Sequence, residues 1–179
     1  RDTMRSLAYT DSLTGLCNRR GMQMALQSAL AQASPQRLVA LYLMDLDGFK
    51  PVNDTYGHDV GDDLLVAVGH RLEANVRQNT DLVARLGGDE FIVMARELAT
   101  PEQAQELGRA LLHAFEKPFR LSHLSIQVGL TIGYALAPLD SDDAQHLVRL
   151  ADAAMYAGKE SGKHLSLIHI SEPTRQEAI

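Results

Sequence analysis

Residues Gly87-Gly88-Asp89-Glu90-Phe91 constrain the fold more than any other stretch of the chain. An apolar run at 82–86, interrupted by Arg85, precedes them, and a second run at 91–95 follows. Two short apolar runs joined by Gly-Gly and acids read as a β-hairpin, because glycine supplies the positive φ that tight hairpin turns need. Glycine at the tip also lets a ligand approach the backbone closely. Asp89 and Glu90 repel each other there unless something positive joins them. A divalent cation carrying a phosphate answers that need.

A second acidic strand end supplies a partner. Leu38-Val39-Ala40-Leu41-Tyr42-Leu43-Met44 is near-continuously apolar, as in a strand buried on both faces, and it ends in Asp45-Leu46-Asp47. Side chains alternate along a strand, so Asp45 and Asp47 share a face. If this strand lies beside the hairpin, Asp45 and Asp89 converge, with Glu90 adjoining. Hard oxygen ligands suit Mg²⁺, or Mn²⁺ in its place, and Mg²⁺ keeps several waters while bridging to substrate phosphates. Two such ions per active site would activate an attacking oxygen and stabilise a leaving one.

At 179 residues the chain fits one domain with a real core. A net charge of −6 without a basic tract argues against a nucleic-acid polymer as partner but leaves room for a nucleotide. The single cysteine, Cys17, excludes an internal disulfide framework and fits a reducing, cytoplasmic compartment. No run approaches the roughly 20 apolar residues of a membrane span, and no signal peptide is visible. Starting at Arg1, the chain reads as a fragment whose sensor or membrane anchor lies upstream.

Residues 1–10 read as an incoming helix or linker, 11–170 as the folded domain and 171–179 as a tail foreign to it, a vector or assembly artefact. Met22, Leu26 and Leu30 predict a helix over 21–33, ended by Ser34-Pro35. After the buried strand, 47–57 reads as a polar loop. Leu64, Leu65, Val68 and Leu72 make the apolar face of a helix over 62–75. Thr100 and Gln103 form a capping box for a helix reaching about residue 115. Residues 124–137 read as a strand in two parts, loosened by Gly129 and Gly133. A final helix occupies 142–158, with Leu147, Leu150, Ala154 and Met155 facing inward, and the apolar residues 165–170 suit a closing strand. This order implies an α+β fold around a mostly antiparallel sheet.

Four further segments join the hairpin. Asp11-Ser12-Leu13-Thr14-Gly15-Leu16-Cys17-Asn18-Arg19-Arg20 opens the chain's ordered part. Asp45-Leu46-Asp47-Gly48-Phe49-Lys50-Pro51-Val52-Asn53-Asp54-Thr55-Tyr56-Gly57-His58 follows. Thr131-Ile132-Gly133 and Ala151-Asp152-Ala153-Ala154-Met155-Tyr156-Ala157-Gly158-Lys159 come late. In this order, over residues 7–164, the series resembles the GGDEF domain, the catalytic module of diguanylate cyclases. The resemblance implies a five-stranded sheet flanked by helices, similar to nucleotidyl cyclases and polymerase palms.

It also implies roles. Asp45 and the Leu46 carbonyl bind metal; Asp89 is a further metal ligand and the general base; Glu90 contacts the second ion. Lys50 stabilises the transition state, with Phe49 beside it. Gly87 and Gly88 admit the substrate, Asn53 and Asp62 recognise guanine, His58 is another substrate position, and Lys159 and Lys163 grip the triphosphate. An Asp suits guanine because it accepts from N1–H and the N2 amino group, which adenine lacks. Plain alternatives exist: Asp62 as an N-cap for the helix at 62–75, Asn53 as a turn former, His58 as a structural histidine, Lys50 as a solvated cation, Lys159 and Lys163 as helix-dipole partners. Where many members carry Arg-x-x-Asp for product inhibition, this chain has Gln78-Asn79-Thr80-Asp81, with Arg77 one position out, so that site is expected to be weak or absent.

The resulting expectation is a diguanylate cyclase that condenses two GTP to cyclic di-GMP across a homodimer. The alternative is a catalytically inactive GTP-binding module that regulates a neighbouring domain.

Overall fold

The computed structural model describes residues 8–161 and 165–169. Its centre is a five-stranded sheet in the order β2-β3-β1-β6-β7, formed by β1 (Leu38–Asp47), β2 (Asp81–Gly87), β3 (Glu90–Leu98), β6 (Gly129–Ala137) and β7 (Leu165–His169). All pairings are antiparallel except β6 with β7. A separate two-stranded ribbon joins β4 (Phe119–Leu121) to β5 (Leu124–Ile126). The helices are α1 (Arg19–Ala31), α2 (Phe49–Tyr56), α3 (His58–Ala74), α4 (Pro101–Ala114) and α5 (Ala144–Glu160).

The double burial read from β1 has a simple cause. Leu38, Ala40, Tyr42, Met44 and Leu46 enter a core with Leu64, Leu65, Val68 and Leu72 of α3 and Leu111 of α4. Val39, Leu41 and Leu43 enter a second core with Met22 and Leu26 of α1 and Leu147, Ala151 and Met155 of α5. The sheet is thus covered on both faces, and the strand-end acids Asp45 and Asp47 continue the face that carries α1 and α5.

Several boundaries differ from expectation. The segment 47–57 is not a polar loop: α2 occupies most of it, with Pro51 in its first turn, where proline is tolerated. Only Val52 of α2 is buried, so hydrophobic periodicity could not announce the helix. Residues 124–137 belong to two sheets, with the break at 127–128, and β4 was not anticipated. Gly133 does not loosen β6. It admits α5: a Cβ there would overlap Met155 N and Ala151 O and lie 2.7 Å from the Ala154 carbonyl carbon. The expected closing strand is present as β7, and residues 170–179 lie outside the described residues.

Candidate active site

The hairpin tip and the end of β1 meet as the strand patterns require. Asp45 stands opposite Glu90 across β1 and β3, and Leu46 N donates to Asp89 O at 3.4 Å. Gly87 (φ 143°) and Gly88 (φ 51°) take the turn through positive φ, a conformation that side-chain-bearing residues resist. Between them, strand and turn hold the Asp45 and Asp89 carboxyl groups together. Burial, a hydrogen bond to Asp89 and the charge of Asp89 push the Asp45 carboxyl up to about 7 from 3.8; Lys159 opposes the rise and Glu90 adds to it. Asp45 Oδ1 is buried and has no hydrogen-bond partner among the described residues.

An orphaned carboxylate oxygen in an acidic cluster is a costly arrangement unless a cation completes it. Asp45, the Leu46 carbonyl and Asp89 are hard oxygen donors, the set that Mg²⁺ takes. Among the described residues no three His, Cys, Asp or Glu side chains form a ready-made cage.

Lys159, in the last turn of α5, enters this cluster. Its ammonium contacts Asp47 Oδ1 and lies 3.6 Å from Asp45 Oδ2 and 3.4 Å from the Leu46 carbonyl. Asp47 is held in turn by Thr131, whose fully buried hydroxyl donates at 2.9 Å. Sequence alone gives Asp47 and Thr131 no role, although the shared face of Asp45 and Asp47 is the available signal. Lys163 lies outside the described residues.

The base-recognition candidates sit on α2 and α3. Helix α3 starts at His58, so Asp62 is in its second turn and does not cap it. The Asp62 side chain is exposed, leaving its carboxylate available as an acceptor. Asn53 is half-buried on α2, and its Oδ1 is the second orphaned buried oxygen of the domain's described part. His58 is exposed at the start of α3. Lys50 pairs with Asp54 at 3.1 Å on the outer face of α2, and Phe49 packs against the core. An exposed i,i+4 pair is worth only about 0.3–0.5 kcal/mol, so Asp54 holds Lys50 weakly.

Arg85, which breaks the apolar run of β2, ties the tip to the chain's opening loop. Its Nε donates to the Gly88 carbonyl at 2.9 Å, and one NH group donates to Asp11 at 3.0 Å. Asp11 also accepts from Thr14 N and the Thr14 hydroxyl. Both charged side chains of the pair are about 15% exposed. At the other end of β2, Arg77 takes Asp81 in a two-pronged ion pair at 2.8 and 3.1 Å, and the Asp81 side chain is fully buried. Asp81 is therefore spent within the chain.

Residues 8–164 match the family model described as "Diguanylate cyclase, GGDEF domain". The chain belongs to the GGDEF domain family. It is 43% identical over 159 residues to the bifunctional diguanylate cyclase/cyclic di-GMP phosphodiesterase MucR of Pseudomonas aeruginosa, covering 88% of this chain and 23% of MucR. It is 39% identical over 163 residues to the cyclic di-GMP phosphodiesterase PdeR of Escherichia coli K12, covering 90% of this chain and 24% of PdeR. The chain thus spans about a quarter of the length of these relatives. The solved GGDEF domain of TpbB (YfiN) from Pseudomonas aeruginosa superposes with a TM-score of 0.85 at 36% identity, covering 94% of this chain and 99% of that one. That likeness carries the α+β fold with its mostly antiparallel five-stranded sheet.

Proposed function

We propose that this domain is a diguanylate cyclase, converting two GTP into cyclic di-GMP and two pyrophosphates. The observation that carries the reading is the paired Asp45 and Asp89 at the end of β1, with a buried carboxylate oxygen that lacks a partner. On α2 and α3, Asn53 and Asp62 hold unspent polar groups suited to a purine edge, which supports the reading.

Each domain holds one GTP, with Asp62 and Asn53 on the guanine and Lys159 and Lys163 on the triphosphate. Two domains face each other in a homodimer. Asp89 takes the proton of one ribose 3′-OH; that oxygen attacks the α-phosphorus of the partner's GTP, the Pα–O–Pβ bond breaks and pyrophosphate leaves. The reciprocal step closes the ring. Asp45, the Leu46 carbonyl, Asp89 and Glu90 would hold two Mg²⁺ ions, which would supply Lewis-acid charge stabilisation. Lys50 adds positive charge where the phosphoryl group becomes most negative. Lys159 leaves Asp45 and Leu46 for the phosphates as substrate arrives. Positioning and electrostatics supply most of the rate.

Among the described residues no helix is long and apolar enough to cross a membrane. Use of GTP places the domain in the cytoplasm, controlled by a sensor elsewhere in a longer protein, in keeping with the multidomain length of its relatives. Incubating the chain with GTP and Mg²⁺ and identifying products by mass spectrometry tests the reading. Cyclic di-GMP and pyrophosphate in a 1:2 ratio are expected, with a rate that rises more than linearly with protein concentration. Tight GTP binding without product would instead favour the regulatory module.

A further inference from the structure

We propose that Gly61 is a positioning residue for base selection: its missing side chain seats the Asn53 amide. This inference rests on the guanine reading of Asn53 and Asp62 and goes beyond it, to the residue that sets the direction in which Asn53 points.

Gly61 lies in the first turn of α3, is buried, and has ordinary helical φ. Nothing in its backbone conformation calls for glycine, and a glycine inside a helix is unfavourable relative to alanine. The reason lies across the helix pair. A Cβ on Gly61 would overlap Asn53 Oδ1 and come within 2.9 Å of Asn53 Cγ. The carbonyl end of the Asn53 amide therefore rests on the bare Gly61 backbone, where Oδ1 is buried and has no hydrogen-bond partner among the described residues. Among the described residues only the carbonyl end of the amide is a buried group without a partner, and we take the NH₂ end, 3.5 Å from the position of a Gly61 Cβ, as the one that meets a ligand.

That orientation has a chemical consequence. Two N–H donors suit the O6 acceptor of guanine and oppose the N6 amino group of adenine. Asp62, the next residue after Gly61, supplies the acceptor that guanine's N1–H and N2 amino group need. One peptide unit of α3 thus places both halves of the discrimination: the glycine aims the donor and the aspartate is the acceptor. A methyl group at 61 displaces the far end of a flexible side chain, so the fold absorbs it while the amide loses its seat.

The test uses the α,β-methylene analogues of GTP and ATP, whose Pα–C–Pβ linkage cannot be cleaved, with titration calorimetry in Mg²⁺. The parent chain is expected to prefer the guanosine analogue at least tenfold. Gly61→Ala should lose most of that preference and match Asn53→Ala. The double variant should be no worse than either single one, because both remove the same interaction. Melting of Gly61→Ala should stay at or above the parent's. If Gly61→Ala alone unfolds, adding it to Asn53→Ala, where the overlap is gone, should cost neither stability nor affinity; a further loss there overturns the proposal. A parent that discriminates and a Gly61→Ala variant that still does also overturn it, leaving the guanine reading intact. A parent that binds both analogues equally overturns both.

Discussion

Replacing Asp45 by Asn should abolish synthesis and, in metal-free protein, raise stability. The Asp45 carboxyl is 24% exposed and sits against Asp89. Its rise from 3.8 to about 7 means that ionising it in the folded state costs more than in the unfolded chain, a gap worth about 4 kcal/mol. Because the group's folded value is raised, its contribution is most favourable below pH about 4. That contribution is lost as the pH climbs to about 7. Above that, the parent carries the full penalty and Asp45→Asn carries none. Relaxation of the paired carboxylates reduces the effect to about 2 kcal/mol, since the penalty belongs to the pair and not to one residue. For a chain of this length that is a rise in melting temperature of about 4–8 °C. The assay is calorimetric melting in EDTA at pH 8 and pH 4.5. Asp45→Asn should melt higher at pH 8, with about three quarters of that gap closed at pH 4.5. Adding Mg²⁺ should stabilise the parent and leave the variant unmoved. A variant that melts at or below the parent at pH 8 would refute the idea that the site stores electrostatic strain for a cation to relieve.

Two further outcomes follow from the neighbouring ion pairs. Arg85→Ala should cost about 2–3 kcal/mol in denaturant unfolding, since it strands a largely buried Asp11 and frees the Gly88 carbonyl. Burial would raise the Asp11 carboxyl, but hydrogen bonds from Thr14 and the Arg85 charge hold it below 3.8. The parent's advantage is therefore present above pH about 4 and shrinks as the pH falls below it; an advantage that grows in acid would contradict the assignment. Cyclic di-GMP should inhibit turnover weakly, because Asp81 is locked by Arg77 and Gln78 brings no charge. Gln78→Arg alone should recover little, and potent noncompetitive inhibition of the parent would show that the pair opens for the product.

The parts of this domain that were legible in advance are those whose signal is local. The double-sided burial of β1 was written in seven consecutive apolar residues, and the hairpin in two glycines between apolar runs. Alternation along β1 placed Asp45 and Asp47 together before any pairing was known, and the register then brought Asp45 opposite Glu90. Helix α2 was hidden because it buries one side chain and is framed by Gly48 and Gly57, which read as loop punctuation. The misplaced start of α3 had the same origin: His58 to Gly61 lack an apolar stripe, so Asp62 looked like a cap.

The least legible contributors act through a second residue. Arg85 looked like an interruption in an apolar strand, yet it pairs with Asp11, 74 positions away. Asp47 looked like a spare acid until Lys159, 112 positions on, closed upon it. Gly61 lies just outside the helix expected at 62–75, and only the contact with Asn53 gives it a role. In each case a residue unfavourable for its own element is explained by a partner on another one. Local propensity yields to tertiary contact at positions that shape the site, so such violations are informative when read in pairs. A charged residue in an apolar strand, or a glycine in a helix with ordinary φ, marks where a search for the distant partner should begin.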